Sequence, residues 1–566
     1  MLRTHLFTLI RQWTDGMFSV ALSVSEAFVS LARGKILLRP SPLASTLPCG
    51  VRTFLSRARA SAPNNSEPLE RSSDRPACPP RFYDSLMELR RQTRPVSPAS
   101  GVMPASKSQM VFKRFKSSIP IAVAAALVAG LAWTWPAFSQ ASAAESQKAL
   151  FAQADAILEQ MSRLTGLKIL APVKKEIVDR AQVRQYLIQN FHHDFTPREL
   201  QDQEDELQAF GLISQDFHLE SFLIKFYTEQ AAGFYDPRSK TMFIANWVGP
   251  DIQKMVLAHE LTHALQDQHF DLEKYLHAVR DNDDAMAARD AVVEGEATAT
   301  MVQQDLGPVD LASLPSLVPL MEPLLKQQVG QFPVFSSSPY FFRFEAMFPY
   351  IQGLGFIQAN LAGGGWPHLN ALFTNPPAET REIFDPEVYL KARPLPNVSL
   401  PRPRALKHAR GLRWIVSGTL GELGYDAMVG QLLSPAKAKT IAPAWRADRY
   451  LLYQNTRTRN FTLIGRTLWA SPESALAFFR DYHAILAHKY PALAPSPRSA
   501  TDLFIGSAPN GRIVLLRAGS ECRWAEGVPA GKMKKMIKWL RSLGGETSAG
   551  VASQASSAGS RAARGH

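Results

Sequence analysis

The stretch Val256-Leu257-Ala258-His259-Glu260-Leu261-Thr262-His263-Ala264 decides how the rest of the chain is read. It predicts a helix, since Pro250 suits a first helical position and Asp251 a first turn. His259 and His263 are four residues apart and so lie one turn apart on one face. Ile252 and Val256 fall on the same stripe, which turns that face inward. Two imidazoles so placed can hold one zinc ion from the same side. Glu260, beside the first of them, can reach a water in an open coordination position. This HExxH pattern supplies two ligands and a general base.

Two histidines need a third ligand, and the sequence offers two. His269 follows His263 by six residues, the spacing of HExxHxxGxxH. That pattern needs a glycine midway for a sharp turn at positive φ, and here Gln266 stands there and favours continuing the helix. Glu294 is the favoured candidate. It lies 31 residues beyond His263, in a second helix started by Asn282-Asp283-Asp284 and running from Ala285 to about Gln303. Gly295 and the small residues after it allow that helix to approach the first closely. A His2Glu set would then leave the fourth position to water. Glu296 points to another face. Asp290 and Thr298 flank Glu294 on its own face, as hydrogen-bond partners of a ligand or as plain packing contacts.

Working outward, 566 residues at 46% hydrophobic and 20% charged suffice for two to four domains with cores. The net charge of +13 is concentrated at the N-terminus, where residues 1–118 hold 18 Lys and Arg against 7 Asp and Glu. The remainder is nearly neutral, which argues against a nucleic-acid partner. Of Cys49, Cys78 and Cys522, only the last falls in the globular part, so neither an internal disulfide nor a cysteine metal cluster is expected there.

Residues 1–109 are rich in Arg, Ser and Pro without a periodic pattern, as in a disordered extension or a start codon assigned too far upstream. Residues 110–144 have the build of a secretory signal peptide. Basic Lys113-Arg114-Phe115-Lys116 precedes the uncharged run Ile119–Trp135, and an Ala-x-Ala site lies near Ala144. An uncleaved membrane anchor through 119–135 is the alternative. Either way, the bulk of the chain is expected to be exported, as a periplasmic or secreted protein that is soluble or membrane-anchored.

Residues 145–400 then read as one α+β domain. A helix over 145–165 ends at Gly166, and a short strand lies within Ile169–Val178. Asp179 caps a helix through Asn190, Thr196-Pro197-Arg198-Glu199 is a capping box for a helix ended by Gly211, and another helix runs from Leu219 to Glu229. Ala232–Ala245 is strand, turn, strand, either a sheet edge that holds substrate as an added strand or a plain structural hairpin. Residues 306–345 look irregular, and Glu345–Leu361 helical. Gly363-Gly364-Gly365 is a loop, the segments at Pro376 and Pro386 are rigid turns, and Pro394–Pro403 is a connector. A second α+β unit occupies 401–543. Its strands are expected at Tyr450–Tyr453, Phe461–Leu468 and Ile513–Leu516, and its helices at Pro472–Lys489 and Gly531–Leu543. Residues 544–566 are a low-complexity tail.

His259-Glu260-x-x-His263 followed by Glu294-Gly295 resembles the zincin metallopeptidases of the gluzincin type, in which Glu is the third ligand. The resemblance covers about residues 230–305. Beyond it, the chain is similar to an uncharacterised group of exported bacterial HExxH proteins. The residues that carry this are His259 through Leu272, Gly364-Gly365-Trp366, Pro376-Pro377 with Thr380, Pro386-Glu387-x-Tyr389 and Gly421-Glu422-Leu423. Ala444–Tyr450 departs from the Gly-rich segment expected around its Trp. The resemblance implies a zincin-like fold with the active-site helix beside a small sheet, and zinc-dependent hydrolysis of peptide or protein with Glu260 as base. An oxyanion donor besides zinc is then needed, and Tyr350, His368 and Tyr389 are candidates by residue type alone. A non-catalytic envelope binding or scaffold protein on the same fold is the alternative, against which the intact Glu260 speaks.

Overall fold

Local signals in the sequence set the first helices. The computed structural model describes residues 145–406 and 411–544, and the expectations for 1–109, 110–144 and the tail beyond Gly544 lie outside them. Helix α1 spans 145–165 and strand β1 Lys174–Val178. Asp179 caps α2 (Arg180–Asp194), its carboxylate accepting the Gln182 N–H while the Gln182 side chain accepts the Asp179 N–H. Thr196 and Glu199 repeat the arrangement on α3 (Pro197–Phe210), which ends at Gly211 with φ 81°. Helix α4 covers Leu219–Gln230.

The hairpin of β2 (Gly233–Asp236) and β3 (Thr241–Ala245) turns on Asp236, whose carboxylate accepts the N–H groups of Arg238 and Ser239. The sheet order is β1-β3-β2, with β1 parallel and β2 antiparallel to β3. Strand β2 is therefore an edge strand. One face of it lies on α5 (Pro250–Phe270), so closely that a Cβ on Gly233 would come within 2.8 Å of Val256 Cγ1. Tyr186 of α2 covers the other face through the Phe234 and Phe243 rings.

After α5 the chain reverses at Asp271, which holds φ 52° and caps the short α6 (Leu272–His277) through the Lys274 N–H. Asn282 caps α7 (Asp283–Leu306), a helix buried along almost its whole length. It packs on α5 and on α10 (Tyr340–Leu361), which follows α8 (Val318–Val329) and α9 (Pro333–Ser337). Residues 306–345, expected to be irregular, are thus largely helical. Their prolines read as breakers, but Pro319 and Pro333 occupy first turns, where the missing N–H has no partner to lose, and only Pro323 of this segment stands inside a helix, α8. Four short helices, α11 (Trp366–Leu369), α12 (Ala371–Thr374), α13 (Thr380–Phe384) and α14 (Pro386–Leu390), occupy the segment read as loop and turns. The connector 394–403 carries neither helix nor strand.

The C-terminal part contributes β4 (Leu412–Gly418), α15 (Gly421–Leu432), α16 (Pro435–Ile441), β5 (Trp445–Asn455), β6 (Phe461–Trp469), α17 (Pro472–Lys489), β7 (Ala494–Pro495), β8 (Leu503–Ala508), β9 (Gly511–Ala518), β10 (Glu521–Val528) and α18 (Met533–Ser542). Its strands form one antiparallel sheet in the order β4-β5-β6-β10-β9-β8-β7. Helix α17 covers one face through Phe478 and Tyr482 on Trp469 and Trp524. Helix α18 and the end of the connector cover the other, where Met536, Leu540 and Leu406 meet Ile464, Val514 and Ala525.

The fold class is α+β, as expected. Residues 148–544 fall in one compact unit, so the chain before and after the connector packs together. Arg413 of β4 pairs with Asp202 of α3 at 2.7 Å, and the buried Tyr450 hydroxyl of β5 donates to Glu206. The Thr380 hydroxyl at the start of α13 donates to Asp284 of α7 at 2.5 Å and accepts the Leu423 N–H of α15 at 3.1 Å. Gly421 leaves room for that carboxylate, since a Cβ there would sit 1.8 Å from Asp284 Oδ1. Among the described residues, no helix is long and apolar enough to cross a membrane.

Candidate metal centre

Three helices converge on the HExxH motif. Helix α5 begins at Pro250 and runs unbroken through Gln266 to Phe270, so His259 and His263 share a face. That face meets α7. Thr262 Oγ1 and Thr300 Oγ1 are hydrogen-bonded across the two helices at 2.8 Å, and Gln266 Nε2 donates to the Val293 carbonyl at 3.1 Å. These contacts bring Glu294 over the imidazoles.

The donor atoms lie 2.9 Å (His259 Nε2 to Glu294 Oε2), 3.1 Å (His259 Nε2 to His263 Nε2) and 3.5 Å (His263 Nε2 to Glu294 Oε2) apart. Zinc bonds of about 2.0–2.1 Å at tetrahedral angles place neighbouring ligand atoms about 3.3 Å from one another. The triangle is therefore of the size that one zinc ion would span, and a borderline-soft N2O set suits that metal. Among the described residues this is the cluster of His, Cys, Asp and Glu whose donor atoms converge closely enough to hold a metal. All three side chains are buried.

The electrostatics fit the same reading. Burial pulls the His259 imidazole below its ordinary pKa. Burial also opposes the charged forms of His263 and Glu294, but their mutual attraction outweighs it, raising His263 and holding Glu294 well below the usual carboxylate range. The cluster thus keeps an ionised carboxylate in the interior, balanced by a proton on an imidazole. A dication is the natural replacement for that proton.

The orientation of His263 is also fixed. Its Nδ1–H donates to Gln266 Oε1 at 2.9 Å, so the proton that a dication would replace is the one on Nε2, which faces His259 and Glu294. Gln266 Nε2 in turn donates to Glu296 Oε2 at 2.8 Å, and burial lifts the Glu296 carboxyl to about 7. The sequence reading treated Gln266 only as a helix continuer and Glu296 only as an unlikely ligand. Their signal was the i, i+3 spacing of Gln266 from His263, which places its amide beside the ring. Asp290 and Thr298 hydrogen-bond neither imidazole, since His263 Nδ1 is taken by Gln266 and His259 Nδ1 has no partner.

Glu260 is 1% exposed and accepts the Tyr235 N–H of edge strand β2 at 3.0 Å. The Tyr235 hydroxyl donates to the buried Asp267 at 2.8 Å, and Lys240 Nζ reaches the same oxygen at 2.6 Å. The hairpin does border the motif helix, and its N–H at Tyr235 is engaged by Glu260.

The remaining candidates separate cleanly. Tyr350 of α10 stacks its ring on His259 at 5.9 Å, and its hydroxyl faces Glu294. Burial, with Glu294, Asp290 and Glu260 adding, raises its pKa well above the ordinary value, so it is a neutral donor. Its placement rests on a bare contact between α7 and α10: a Cβ on Gly353 would lie 2.4 Å from the Ala291 carbonyl oxygen, and one on Gly295 2.5 Å from the Gly353 carbonyl carbon. Gly295 was expected to bring α7 against α5; it instead admits α10. His368 is exposed on α11 and packs on Gly364. The Tyr389 hydroxyl donates to the Asn375 carbonyl at 2.6 Å. His269, the alternative third ligand, is carried away by the continuing helix, and its Nε2 bonds the Lys168 carbonyl at 2.7 Å.

Residues 412–536 match a family described as a domain of unknown function, DUF8575. The match begins with β4, ends within α18 and includes none of His259, Glu260, His263 and Glu294. No curated protein and no solved structure matches the chain.

Proposed function

We propose that this chain is a zinc-dependent peptidase of the HExxH zincin type, with Glu as third ligand, acting on peptide or protein outside the cytoplasm. One observation carries the reading: His259, His263 and Glu294 aim three buried donor atoms at one point, at the spacing of a tetrahedral zinc site, with Glu260 next to the first ligand. Those three residues would hold zinc, which when bound supplies Lewis acidity toward a water and a substrate carbonyl. Glu260, positioned by the Tyr235 N–H, takes the proton from the attacking water and returns it to the leaving amine. Tyr350, neutral and facing the ligand set, donates to the developing oxyanion. Gln266 holds His263 in its ligating tautomer.

The test is hydrolysis of a mixed peptide library by residues 145–566 loaded with zinc, beside Glu260→Ala, with metal content measured for both. Cleavage by the parent alone, at equal zinc content, supports the peptidase. A second reading, a non-catalytic envelope binding or scaffold protein on the same fold, draws on the closure of the site, with His259, Glu260, His263 and Glu294 all buried. Stoichiometric zinc in a folded protein that cleaves nothing would favour it.

A further inference from the structure

The cations of the globular part are mostly scattered or paired, but one face departs from this. Helix α18 is strongly two-sided. Met533, Met536, Ile537 and Leu540 pack on the sheet, while Lys534, Lys535, Lys538 and Arg541 are exposed on the opposite stripe. Lys532 precedes them. The end of the connector joins the same apolar cluster through Leu400 and Leu406, and between these it exposes Arg402 and Arg404. Arg402 lies flat on the Trp414 ring at 3.7 Å.

None of these seven cations forms an ion pair with a described residue. No acid occurs between Glu387 and Glu422 or between Glu526 and Glu546. Glu521, the acid of β10 on this side of the sheet, is held between Arg466 and Arg523, and Asp502 of the neighbouring loop is held by Arg517. Among the described residues, no acid neutralises the face.

We propose that this face docks the protein on an anionic phospholipid surface. The cations sit on one helix and on the extended strap beside it, both packed on the same apolar cluster. The charge on α18 is mainly lysine, a set of point charges suited to a diffuse sheet of phosphates rather than to bidentate recognition. Trp539 sits half-buried on the flank of the lysine stripe, where an indole meets a headgroup layer. The rest of the globular part is nearly neutral, so no continuous basic track leads away from the face. The sequence also carries an uncharged run at Ile119–Trp135 behind basic residues, which would hold the unit near a bilayer. This surface is independent of the metal centre.

Because residues 148–544 form one compact unit with its own cores, residues 145–566 are used for the test, free of the 119–135 run. The protein is co-sedimented with vesicles of phosphatidylcholine alone and of phosphatidylcholine mixed with phosphatidylglycerol. Binding is expected only to the mixed vesicles and is lost in high salt. Each lysine near such a surface contributes about 1 kcal/mol, so Lys534→Gln/Lys535→Gln/Lys538→Gln should weaken partitioning on the order of 100-fold and Arg402→Gln/Arg404→Gln about 30-fold. Melting temperature checks that both variants are folded. Equal binding to the two vesicle types, no binding to either, an unchanged affinity in both variants, or tighter binding to a duplex oligonucleotide than to the mixed vesicles would each overturn the proposal.

Discussion

The contact between Gly353 and Ala291 makes a prediction that separates metal binding from turnover. In Gly353→Ala the new methyl would stand 2.4 Å from the Ala291 carbonyl oxygen, against an ordinary contact of 3.4 Å or more. Helix α10 must therefore retreat from α7 by about 1 Å. Overpacking of this kind costs about 1–3 kcal/mol. With an unfolding entropy of about 2 cal/mol/K per residue over about 400 residues, the melting temperature should fall by about 1–4 °C. Tyr350, three residues from the contact, moves with α10, whereas His259, His263 and Glu294 sit on α5 and α7 and stay. A misplacement of about 1 Å lowers a positioned reaction about 100-fold. Calorimetry, zinc competition against a chromophoric chelator and peptide hydrolysis together give the outcome. The expectation is a modest loss of stability, unchanged zinc affinity and much reduced turnover. Parent-like melting and turnover would refute the role of the α7–α10 contact, and a collapse of zinc affinity would refute the assignment of the ligand set to α5 and α7.

Other predictions follow from single contacts. Gln266→Ala frees His263 Nδ1 and should weaken zinc binding about 10–100-fold by chelator competition. His269→Ala, whose ring bonds the Lys168 carbonyl and lies beside Phe270, should leave zinc affinity unchanged. Burial, with Asp284, Glu382 and Glu422 adding and Arg381 opposing, pushes the Glu379 carboxyl up to about 9. Between its ordinary value of 4.5 and about 9, the folded chain holds a proton that the unfolded chain releases, so its contribution to stability is full below that window and is lost as pH rises through it. Urea unfolding should therefore show lower stability at pH 9 than at pH 6, and Glu379→Gln should flatten the decline.

The helix ends were legible because they rest on local chemistry, and the convergence of His259, His263 and Glu294 followed from their spacing. Asp179, Thr196-Pro197 and Gly211 act within one turn of themselves, and the sequence reading of their helices agrees closely with the structure. The ligand spacing on α5 and the interrupted HExxHxxGxxH pattern likewise pointed to Glu294 over His269. Longer-range features were hidden. Strand β10 reads Glu-Cys-Arg-Trp-Ala-Glu-Gly-Val, and its acids are paired with cations that only the folded unit supplies, the partly buried Glu521 with Arg466 of β6 and the buried Glu526 with Lys489 of α17. Helix α15 contains Gly421, Gly424 and Gly430, poor helix formers, of which Gly421 here lets Asp284 approach and Gly430 lets Tyr340 approach. The short helices α13 and α14 begin at residues whose prolines and acids also suit turns. Tyr350 could not be chosen over His368 and Tyr389 without the crossing of α7 and α10.

The Thr380 hydroxyl, shared between Asp284 and the Leu423 N–H, bears on how such a chain can change over generations. Asp284 begins the same helix that carries Glu294, and its carboxylate is packed against Gly421, inside the stretch matched to DUF8575. A gene that lost that stretch would strip the cover from a buried carboxylate at the start of α7. Removing the stretch would leave Asp284 without the Leu423 region that its partner Thr380 also bonds, so the two parts depend on each other in the folded chain.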